Sequence, residues 1–528
     1  MKKVRSQSGV LAALFVFASV AVTPNLFGAS PASVTPATMP RVGTIDVRFQ
    51  SFNIEMVEVT GGRFWAPYKK SANAAEEPSA AKLSVPAGMD PSLYRYRTPI
   101  DLTNARLRKL AAALGPAYVR VSGTWANSTY FQDSDEAAPA TPPTGFGSVL
   151  TRKEWKGVVD FAHAVDAKIV TSFAVSGGVR NAEGVWTPDE AGKFLAYSKS
   201  IGGDIVAAEF FNEPTFATIG GAPKGYDGTA YGRDYKVFHA FAKANAPGMV
   251  ILGPGSVGET GLATGFTLVK TEDMLSQPGS EVDAFSYHFY GGVSKRCSRP
   301  GMGSQVTAEA ALLEDWLSRT NKDETFYAAL RDKYEAGKPI WLTETGETAC
   351  GGDPWASSFI DSFRYLNQLG SLAKRGVQVV IHNTLAASDY ALIDESTLEP
   401  RPNYWAALLW RNLMGTTVLD AGPSPAPNVY LYAHCLRGRS GGVALLAINA
   451  DRTASHELAV PVKSERYTLT AKDLMDNRVN LNGLELMLGA NDALPQMKGE
   501  TTKAGNVSLA PVSITFLAIP EAGNAVCR

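Results

Sequence analysis

The sequence predicts an α/β fold, a (β/α)8 TIM barrel that carries an accessory C-terminal antiparallel β-sandwich domain. Between about residues 45 and 415, eight short apolar strands alternate with amphipathic helical segments, which is typical of a parallel barrel. Beyond that point, strand-like runs are separated by Gly, Pro, Asn and Asp turns, which is typical of an antiparallel sandwich. We therefore expect a barrel domain over 45-415 and a β-sandwich over 416-528, to which 41-48 can add a strand.

The predicted barrel strands are short runs rich in apolar residues. They are Phe49–Glu55, Ala117–Ser122, Lys168–Phe173, Ala207–Phe211, Val250–Gly253, Ala284–Tyr290, Pro339–Thr343 and Gln378–Asn383. One helix between them is predicted to begin with a capping box, formed by Thr187 and Glu190 around Pro188. Because the active site of a TIM barrel lies at the C-terminal ends of its strands, polar residues that end a strand are the candidate functional residues.

Composition excludes several classes of function. The 528 residues include 50 Lys+Arg and 51 Asp+Glu, a formal net charge of −1, which argues against a general nucleic-acid binder or a binder of anionic membranes. With 45% hydrophobic residues the chain can bury a sizeable core. The six His include no close pair, so we expect neither a metal centre nor another cofactor.

The N-terminus has the pattern of a secretory signal. Lys2, Lys3 and Arg5 precede an apolar run over Val10–Val22, which is short for a bilayer span. We expect a signal peptide and leader over 1-30, no stable membrane association once it is removed, and a secreted, periplasmic or extracellular location. An uncleaved membrane anchor is the alternative.

An even number of cysteines in an oxidising compartment favours disulfides. Cys297 and Cys350 lie in loops beside candidate site motifs, and Cys435 and Cys527 lie in the C-terminal β-rich part. We expect each of these two pairs to form a disulfide, although four cysteines allow three pairings.

The motif FFNEPTF provides the first candidate for acid chemistry. A predicted strand ends in Asn212 and Glu213, so the carboxyl group is expected at the mouth of the barrel with the Asn212 amide beside it. A glycosidase needs there a carboxylic acid with a raised pKa, which can protonate a leaving oxygen. The alternative is a surface Glu that caps the next helix.

The motif IWLTETGETACGG provides a second carboxylate. Glu344 ends the seventh predicted strand, and Glu347, three residues later, is the competing candidate. Together with Glu213 it would form the pair that retaining glycoside hydrolysis requires, in which one residue is the nucleophile and the other alternates between acid and base.

The sixth predicted strand ends in SYHFYGG, which brings His288 and Tyr290 toward the same mouth. The Tyr290 hydroxyl beside the nucleophile could keep it ionised by donating a hydrogen bond. Both residues could instead be packed aromatic side chains that only close the end of the strand.

FFNEPTF, SYHFYGG, IWLTETGETACGG and SDYALIDESTLEPRPNYWAALLWRNLMGTTVL follow one another in an order that resembles the heparanase and β-glucuronidase family of retaining glycoside hydrolases (glycoside hydrolase family 79). The similarity extends roughly from Thr44 to Arg528. It implies the same barrel and β-sandwich, with Glu213 as acid/base and Glu344 as nucleophile.

The resemblance also implies a substrate site. The uronate carboxylate would be held by Tyr390 and by the backbone amides of Gly351 and Gly352, and Glu55 would bind sugar hydroxyls. The glycine run of this loop is shorter than in better-known members, so the register of the amides stays open by one residue.

The sequence therefore predicts a secreted hydrolase that cleaves β-D-glucuronosyl linkages in a glucuronic-acid-containing glycan or glycoside. Two alternatives remain open. One is a barrel glycosidase for neutral sugars, of the endoglucanase or arabinofuranosidase type, which would share both Glu but lack the uronate site. The other is a catalytically silent glycan-binding protein. Endo and exo cleavage are equally compatible with the sequence.

Overall fold

The computed structural model describes residues 32–68, 85–86, 89–262, 266–298 and 305–528. The predicted signal peptide and leader, residues 1-30, lie outside these residues. Within the described ranges, no helix is both long and apolar enough to cross a membrane.

Eight parallel strands close into a barrel, as the sequence predicts. Numbered in chain order, barrel strands one to eight are Gln50–Glu55, Ala117–Ser122, Ala167–Ser172, Ile205–Glu209, Val250–Ser256, Ala284–Tyr290, Ile340–Gly346 and Val379–His382. Each strand pairs with the next, and strand eight pairs with strand one through Val380 and Gln50. Their C-terminal ends therefore meet in one ring.

Helices surround the barrel and bury its outer face. The α-helices of the described chain are Met56–Thr60, Ala105–Leu114, Arg152–Ala164, Asp189–Ser200, Gly228–Asn245, Thr271–Leu275, Glu314–Leu317, Arg319–Tyr334, Phe359–Lys374 and Pro402–Leu413. Short 3-10 helices occupy Pro36–Thr38, Pro91–Leu93, Thr124–Ser128, Gly177–Val179, Pro214–Phe216, Lys295–Cys297 and Ala490–Asp492.

The capping box predicted at Thr187 is wrong. Pro188 is the N-cap of the helix that begins at Asp189, and its ring offers no side-chain acceptor. The Thr187 hydroxyl donates to the Val179 carbonyl, and the Glu190 carboxylate accepts from the Phe131 amide. These tertiary hydrogen bonds satisfy the two side chains outside their own helix.

The C-terminal part forms two sheets. The larger sheet contains Arg41–Thr44, Met414–Leu419, Val429–Leu436, Val443–Asn449, Ser464–Thr470, Asn480–Leu481, Leu484–Glu485, Glu500–Thr502 and Ser513–Ile519. The smaller sheet contains Ala32–Ser33, His456–Val460 and Gly505–Leu509, with the first of these strands parallel to the second. Two further strand pairs, Gly62–Trp65 with Tyr94–Arg97 and Thr129–Gln132 with Ser148–Thr151, lie beside the barrel mouth.

The central strand of the larger sheet, Val443–Asn449, is buried on both faces. Its Val443 and Leu445 point to a core shared with the smaller sheet, whereas Ala444 and Leu446 point to the barrel core. This alternation follows the two-residue period of a strand. The face that points to the barrel packs against the helix Phe359–Lys374.

The structure contains both disulfides that the sequence predicts. Cys297–Cys350 joins the loops that follow strands six and seven, and Cys435–Cys527 joins a strand of the larger sheet to the C-terminus. The first disulfide therefore ties together two loops at the barrel mouth.

Candidate active site

A cleft with an empty volume of about 970 Å³ opens at the C-terminal ends of the barrel strands. Polar side chains from strands or loops at this end border it, namely Glu55, Asn212, Glu213, Tyr290, Glu344, Asn383 and Tyr390. Six of these seven residues were predicted from the sequence, and Asn383 was not assigned a role. The predicted strand ends thus bring the candidate residues to one place.

Glu213 and Glu344 lie close together across the cleft. One carboxylate oxygen of each lies within 4.8 Å of the other and of a His288 ring nitrogen. The Glu213 backbone is left-handed, with φ 50° and ψ 61°, where the chain leaves strand four for the helix Pro214–Phe216. A non-glycine residue in this conformation is held there by its surroundings, which is common at functional sites.

Arg120 forms the charged floor beneath the two carboxylates, and sequence reasoning missed it. Its buried guanidinium donates to Glu344 Oε2 at 2.8 Å, to Glu209 Oε2 at 2.7 Å and to Asn212 Oδ1 at 2.8 Å. Burial by itself would raise the pKa of Glu209, but the attraction to Arg120 outweighs it and lowers that pKa below its usual range. Charged residues inside apolar strands, as in AYVRVS and IVAAE, were the available signal.

Both oxygens of Glu344 accept hydrogen bonds. The Tyr290 hydroxyl donates to Oε1 at 2.7 Å, as the sequence predicts, and Arg120 donates to Oε2. Two donors, one of them charged, therefore fix the orientation of this carboxyl group.

His288 lies beneath Glu213 and does not border the cleft, so the structure gives it no direct contact with a substrate there. Its Nδ1 lies 3.1 Å from Glu213 Oε1, and its Nε2 lies 3.3 Å from Arg120 Nη2. Burial lowers the pKa of His288, but the surrounding carboxylates Glu344, Glu209 and Glu213 outweigh it and raise that pKa to about 9.

The carboxyl group of Glu213 is suited to carry a proton. Burial raises its pKa, and the nearby charge of Glu344 raises it further, against the opposing effect of His288. Glu213 and Glu344 therefore differ in environment, since Glu344 is held by donors and Glu213 is buried beside a like charge.

A second network connects Glu55 to two tyrosines. Asn383 Nδ2 lies 3.0 Å from Glu55 Oε1, 3.0 Å from the Tyr290 hydroxyl and 3.1 Å from the Tyr390 hydroxyl. Burial, and next the charge of Glu344, raise the pKa of Glu55 well above its usual range. Glu55 Oε2 has no hydrogen-bond partner within the described chain. A Cβ on Gly123 would lie 1.5 Å from this oxygen, so glycine is required there.

The loop after strand seven enters the cleft one or two residues earlier than expected. Ala349 and Cys350 border the cleft, whereas the predicted Gly351 and Gly352 are buried behind them. A Cβ on Gly351 would lie 2.7 Å from Trp65 Cβ, and one on Gly352 would lie 3.1 Å from the Tyr390 amide. Sequence could not place this register because it depends on contacts with distant loops.

Arg296 supports this loop from behind, a role that the sequence did not reveal. Its guanidinium donates to Asp389 Oδ2 at 2.5 Å and lies 4.1 Å from the centre of the Tyr68 ring. The Ser294 hydroxyl donates to the Gly352 carbonyl at 2.8 Å. The neighbours of Tyr390 and the glycine loop are thereby held in one network.

The competing carboxylate Glu347 lies away from the cleft border. It is fully buried, and its Oε2 accepts from the Thr348 hydroxyl and the Asp353 amide. Burial, and next the charge of Asp353, raise its pKa well above the usual range. Its contacts are those of a residue that supports the loop.

Glu213, His288 and Glu344 are the one group of three potential metal ligands found among the described residues. The Arg120 guanidinium lies 2.8 Å from Glu344 Oε2 and 3.3 Å from His288 Nε2. This permanent positive charge disfavours a cation at the same place. The group is better suited to hold protons and charge than to hold a metal ion.

A closed (β/α)8 barrel with two neighbouring carboxylates at the ends of strands four and seven is the architecture of a barrel glycosidase. No protein-family model matches the chain. A solved structure of 4-O-alpha-L-rhamnosyl-beta-D-glucuronidase from Fusarium oxysporum 12S superposes with a TM-score of 0.61 at 13% identity, covering 92% of this chain and 100% of that one. At this identity the match shows the fold.

Curated relatives narrow the class. The chain is 26% identical over 483 residues to a hyaluronoglucuronidase of Hirudo nipponia, covering 81% of this chain and 92% of that protein. It is 26% identical over 532 residues to heparanase of Mus musculus, covering 87% and 93%. The chain is a glycoside hydrolase, related over most of its length to the heparanase and β-glucuronidase family that its motifs resemble.

Proposed function

We propose that this glycoside hydrolase cleaves β-D-glucuronosyl linkages with retention of configuration, with Glu344 as nucleophile and Glu213 as acid/base. The observation that carries the proposal is that one carboxylate oxygen of Glu213 lies within 4.8 Å of one of Glu344, which brings the two carboxyl groups close together. Retaining pairs lie about 5–5.5 Å apart, whereas inverting pairs lie about 6.5–9.5 Å apart to leave room for a water molecule. The short separation supports direct attack by one carboxylate.

In the first step, a Glu344 oxygen attacks the anomeric carbon, and the bond from this carbon to the leaving oxygen breaks. Glu213 gives its proton to that oxygen, so the aglycone leaves as a neutral alcohol. In the second step, Glu213 removes a proton from water, whose oxygen replaces Glu344 on the anomeric carbon. Free glucuronic acid leaves, and both carboxyl groups return to their starting states.

The hydrogen bonds support Glu344 as the nucleophile and Glu213 as the acid/base rather than the opposite assignment. Tyr290 and Arg120 each donate to one oxygen of Glu344 and so orient it for attack as a nucleophile. The raised pKa of Glu213 keeps it protonated at higher pH than an ordinary carboxyl group. Activity is therefore expected to fall as pH rises through that raised pKa.

Neutral donors are proposed to bind the uronate carboxylate. Tyr390 and Cys350 border the cleft, and Gly351 and Gly352 follow Cys350 directly behind that border, with positive φ angles of 67°, 83° and 83° for the three residues. Within the described ranges, the amides of these three residues make no hydrogen bond to the chain. Amides that turn together in this way can hold an anion without a charged side chain.

The proposed substrate contacts are completed by Glu55 and Asn212. Glu55 Oε2 is free of partners within the described part of the protein and can accept from a sugar hydroxyl. Asn212 Oδ1 is taken by Arg120, which directs its amide group toward the cleft that it borders. Both residues would orient the sugar ring over Glu344.

The ratio of kcat/KM for an aryl β-glucuronide over the matching aryl β-glucoside tests the proposal. Charge-assisted hydrogen bonds contribute about 1.5–3 kcal/mol each, so we expect Tyr390→Phe to narrow the ratio by roughly tenfold to a hundredfold. Tyr287→Phe is the matched control, because its buried hydroxyl has no partner in the described chain and lies outside the cleft. A wild-type preference for the glucoside would favour the neutral-sugar alternative.

We also propose that the protein acts outside the reducing cytosol, as the predicted secreted or periplasmic location requires. Two disulfides among four cysteines support this, because such bonds persist in oxidising compartments. Export of the full chain from its source cells, measured by fractionation, tests the location.

A further inference from the structure

We propose that the aglycone accepted beside Glu213 is an apolar aromatic group of a small glucuronide, rather than a further sugar of an anionic chain. The inference rests on the proposed function and specifies its substrate class. It depends on the side chains that border the cleft next to the acid.

The leaving oxygen must lie within hydrogen-bond reach of Glu213, so the aglycone occupies the space beside this residue. Apolar side chains border that space. They are Phe216, Ile219, Val257, Leu262 and Phe266, here called the Phe216 wall. Phe216 and Ile219 lie three and six residues after Glu213 in the chain, and the others come from the segment after barrel strand five.

The Phe216 wall is one continuous surface. The Phe216 and Phe266 rings lie 5.8 Å apart in an edge-to-face contact, and Phe216 and Leu262 pack on the cluster that contains Val257. The Thr215 hydroxyl donates to the Val257 carbonyl at 2.9 Å, which joins the loop after strand four to the loop after strand five. The wall is therefore held in place before a substrate arrives.

Phe266 is 41% exposed at the rim of this wall. Covering apolar surface contributes about 25 cal/mol per Å², and an exposed aromatic side chain at a cleft often marks a binding surface. A sugar hydroxyl would find no hydrogen-bond partner on the side chains of the Phe216 wall, because all of them are apolar. An aromatic ring would bury apolar surface there and could stack on the phenylalanine rings.

Charge argues against an anionic chain in the same place. Among the described residues that border the cleft, the ionisable side chains Glu55, Glu213 and Glu344 are all carboxyl groups, and none is Lys or Arg. Arg120, beneath them, is already engaged by Glu209 and Glu344. Along the described part of the cleft border, sulfate or carboxylate groups on the aglycone would therefore meet carboxyl groups and find no cation to bind.

An adjoining cavity does contain two cations, Arg319 and Lys322. Both are paired with the same carboxylate, Asp315, at 2.8 Å and 3.3 Å. Asp323 borders that cavity as well. These charges compensate one another locally, so the cavity offers little net attraction for a polyanion.

The test compares the full-length enzyme on a naphthyl β-glucuronide, methyl β-glucuronide, and oligosaccharides of heparan sulfate and hyaluronan that end in β-glucuronate. We expect the naphthyl compound to have the highest kcat/KM and the lowest KM. Phe266→Ser should raise KM for the naphthyl compound roughly twofold to tenfold, a larger change than in KM for methyl β-glucuronide. Phe326→Ser, on an exposed Phe outside the cleft, is the matched control.

The outcomes separate the two levels of the argument. Oligosaccharides with a kcat/KM equal to or above that of the naphthyl compound would overturn the inference while supporting glucuronidase activity. An unchanged KM for the naphthyl compound in Phe266→Ser would also overturn it. Failure on all glucuronides, with turnover of a neutral glycoside by the same preparation, would instead contradict the proposed function.

Discussion

The charged floor of the cleft and its Phe216 wall meet at Glu213 but are built from opposite kinds of side chain. In the floor, Arg120, Glu209 and Glu344 are buried and bound to one another by charge-assisted hydrogen bonds. In the wall, side chains contribute only apolar surface, and Phe266 is substantially exposed. A fixed floor suits chemistry common to every substrate, whereas an apolar wall can select among aglycones without taking part in the reaction.

This contrast predicts that changes in the floor affect all substrates alike. For the proposed nucleophile, Glu344→Gln should lower kcat by at least about 10⁴-fold on every glucuronide, because no carboxylate remains to attack. Glu347→Gln is the matched control, since Glu347 is a buried carboxyl group of the same loop outside the cleft. Initial rates together with thermal unfolding separate loss of chemistry from loss of fold. If kcat falls equally in the two variants, Glu344 is not the nucleophile.

Glu213 lies at the border between the floor and the Phe216 wall. The activity lost when it is replaced should therefore depend on the aglycone of the substrate. Glu213→Ala is expected to cost about 10²–10⁴-fold in kcat on an alkyl glucuronide, which needs protonation to leave. A dinitrophenyl glucuronide, which leaves readily as an anion, should be affected much less in its first step. The comparison uses pre-steady-state rates on both substrates. An identical loss on both would show that Glu213 does not act as the acid.

Arg120 tests how far the floor also supports the fold. Arg120→Met leaves Glu209 buried without its cation, which typically costs about 3–5 kcal/mol of unfolding free energy. Arg152→Met removes a partly exposed pair with Asp133 and should cost no more than about 1 kcal/mol. Denaturant unfolding of both variants measures the difference. If both variants lose the same unfolding free energy, the buried ion pairs of the floor stabilise the fold no more than the partly exposed pair does.

His288 makes the stability of the folded protein depend on pH. Its pKa is about 9 in the folded protein and near 6.5 when unfolded, so its contribution to stability is complete below pH 6.5 and is lost as pH rises through 9. As the pH rises over this range, the wild-type protein should lose about 3 kcal/mol more unfolding free energy than His288→Gln does. Unfolding curves at several pH values provide the measurement, and parallel losses in the two proteins would show that His288 is not stabilised in its charged form.

The sequence was most informative where a motif is local. Glu213, Tyr290 and Glu344 end predicted strands, and barrel closure places such ends together. The partnership of Arg120 with Glu209 spans 89 residues and exists only once the barrel closes, so the sequence showed the charges but not the pairing.

The features that the sequence left open or did not reveal have related causes. The register of Gly351 and Gly352 depends on packing against Trp65 and on the network around Arg296, neither of which local spacing reveals. Phe216 and Phe266 are isolated apolar residues in loops, and a sequence alone does not distinguish such residues from core residues.

The anomeric configuration of the first-formed sugar tests the central claim most directly. Proton NMR of an aryl β-glucuronide during rapid hydrolysis resolves the two anomers before they interconvert. Double displacement by Glu344 and Glu213 predicts that β-glucuronic acid appears first and the α-anomer follows by mutarotation. Initial release of the α-anomer would show inversion and contradict the assignment of Glu344 as the nucleophile.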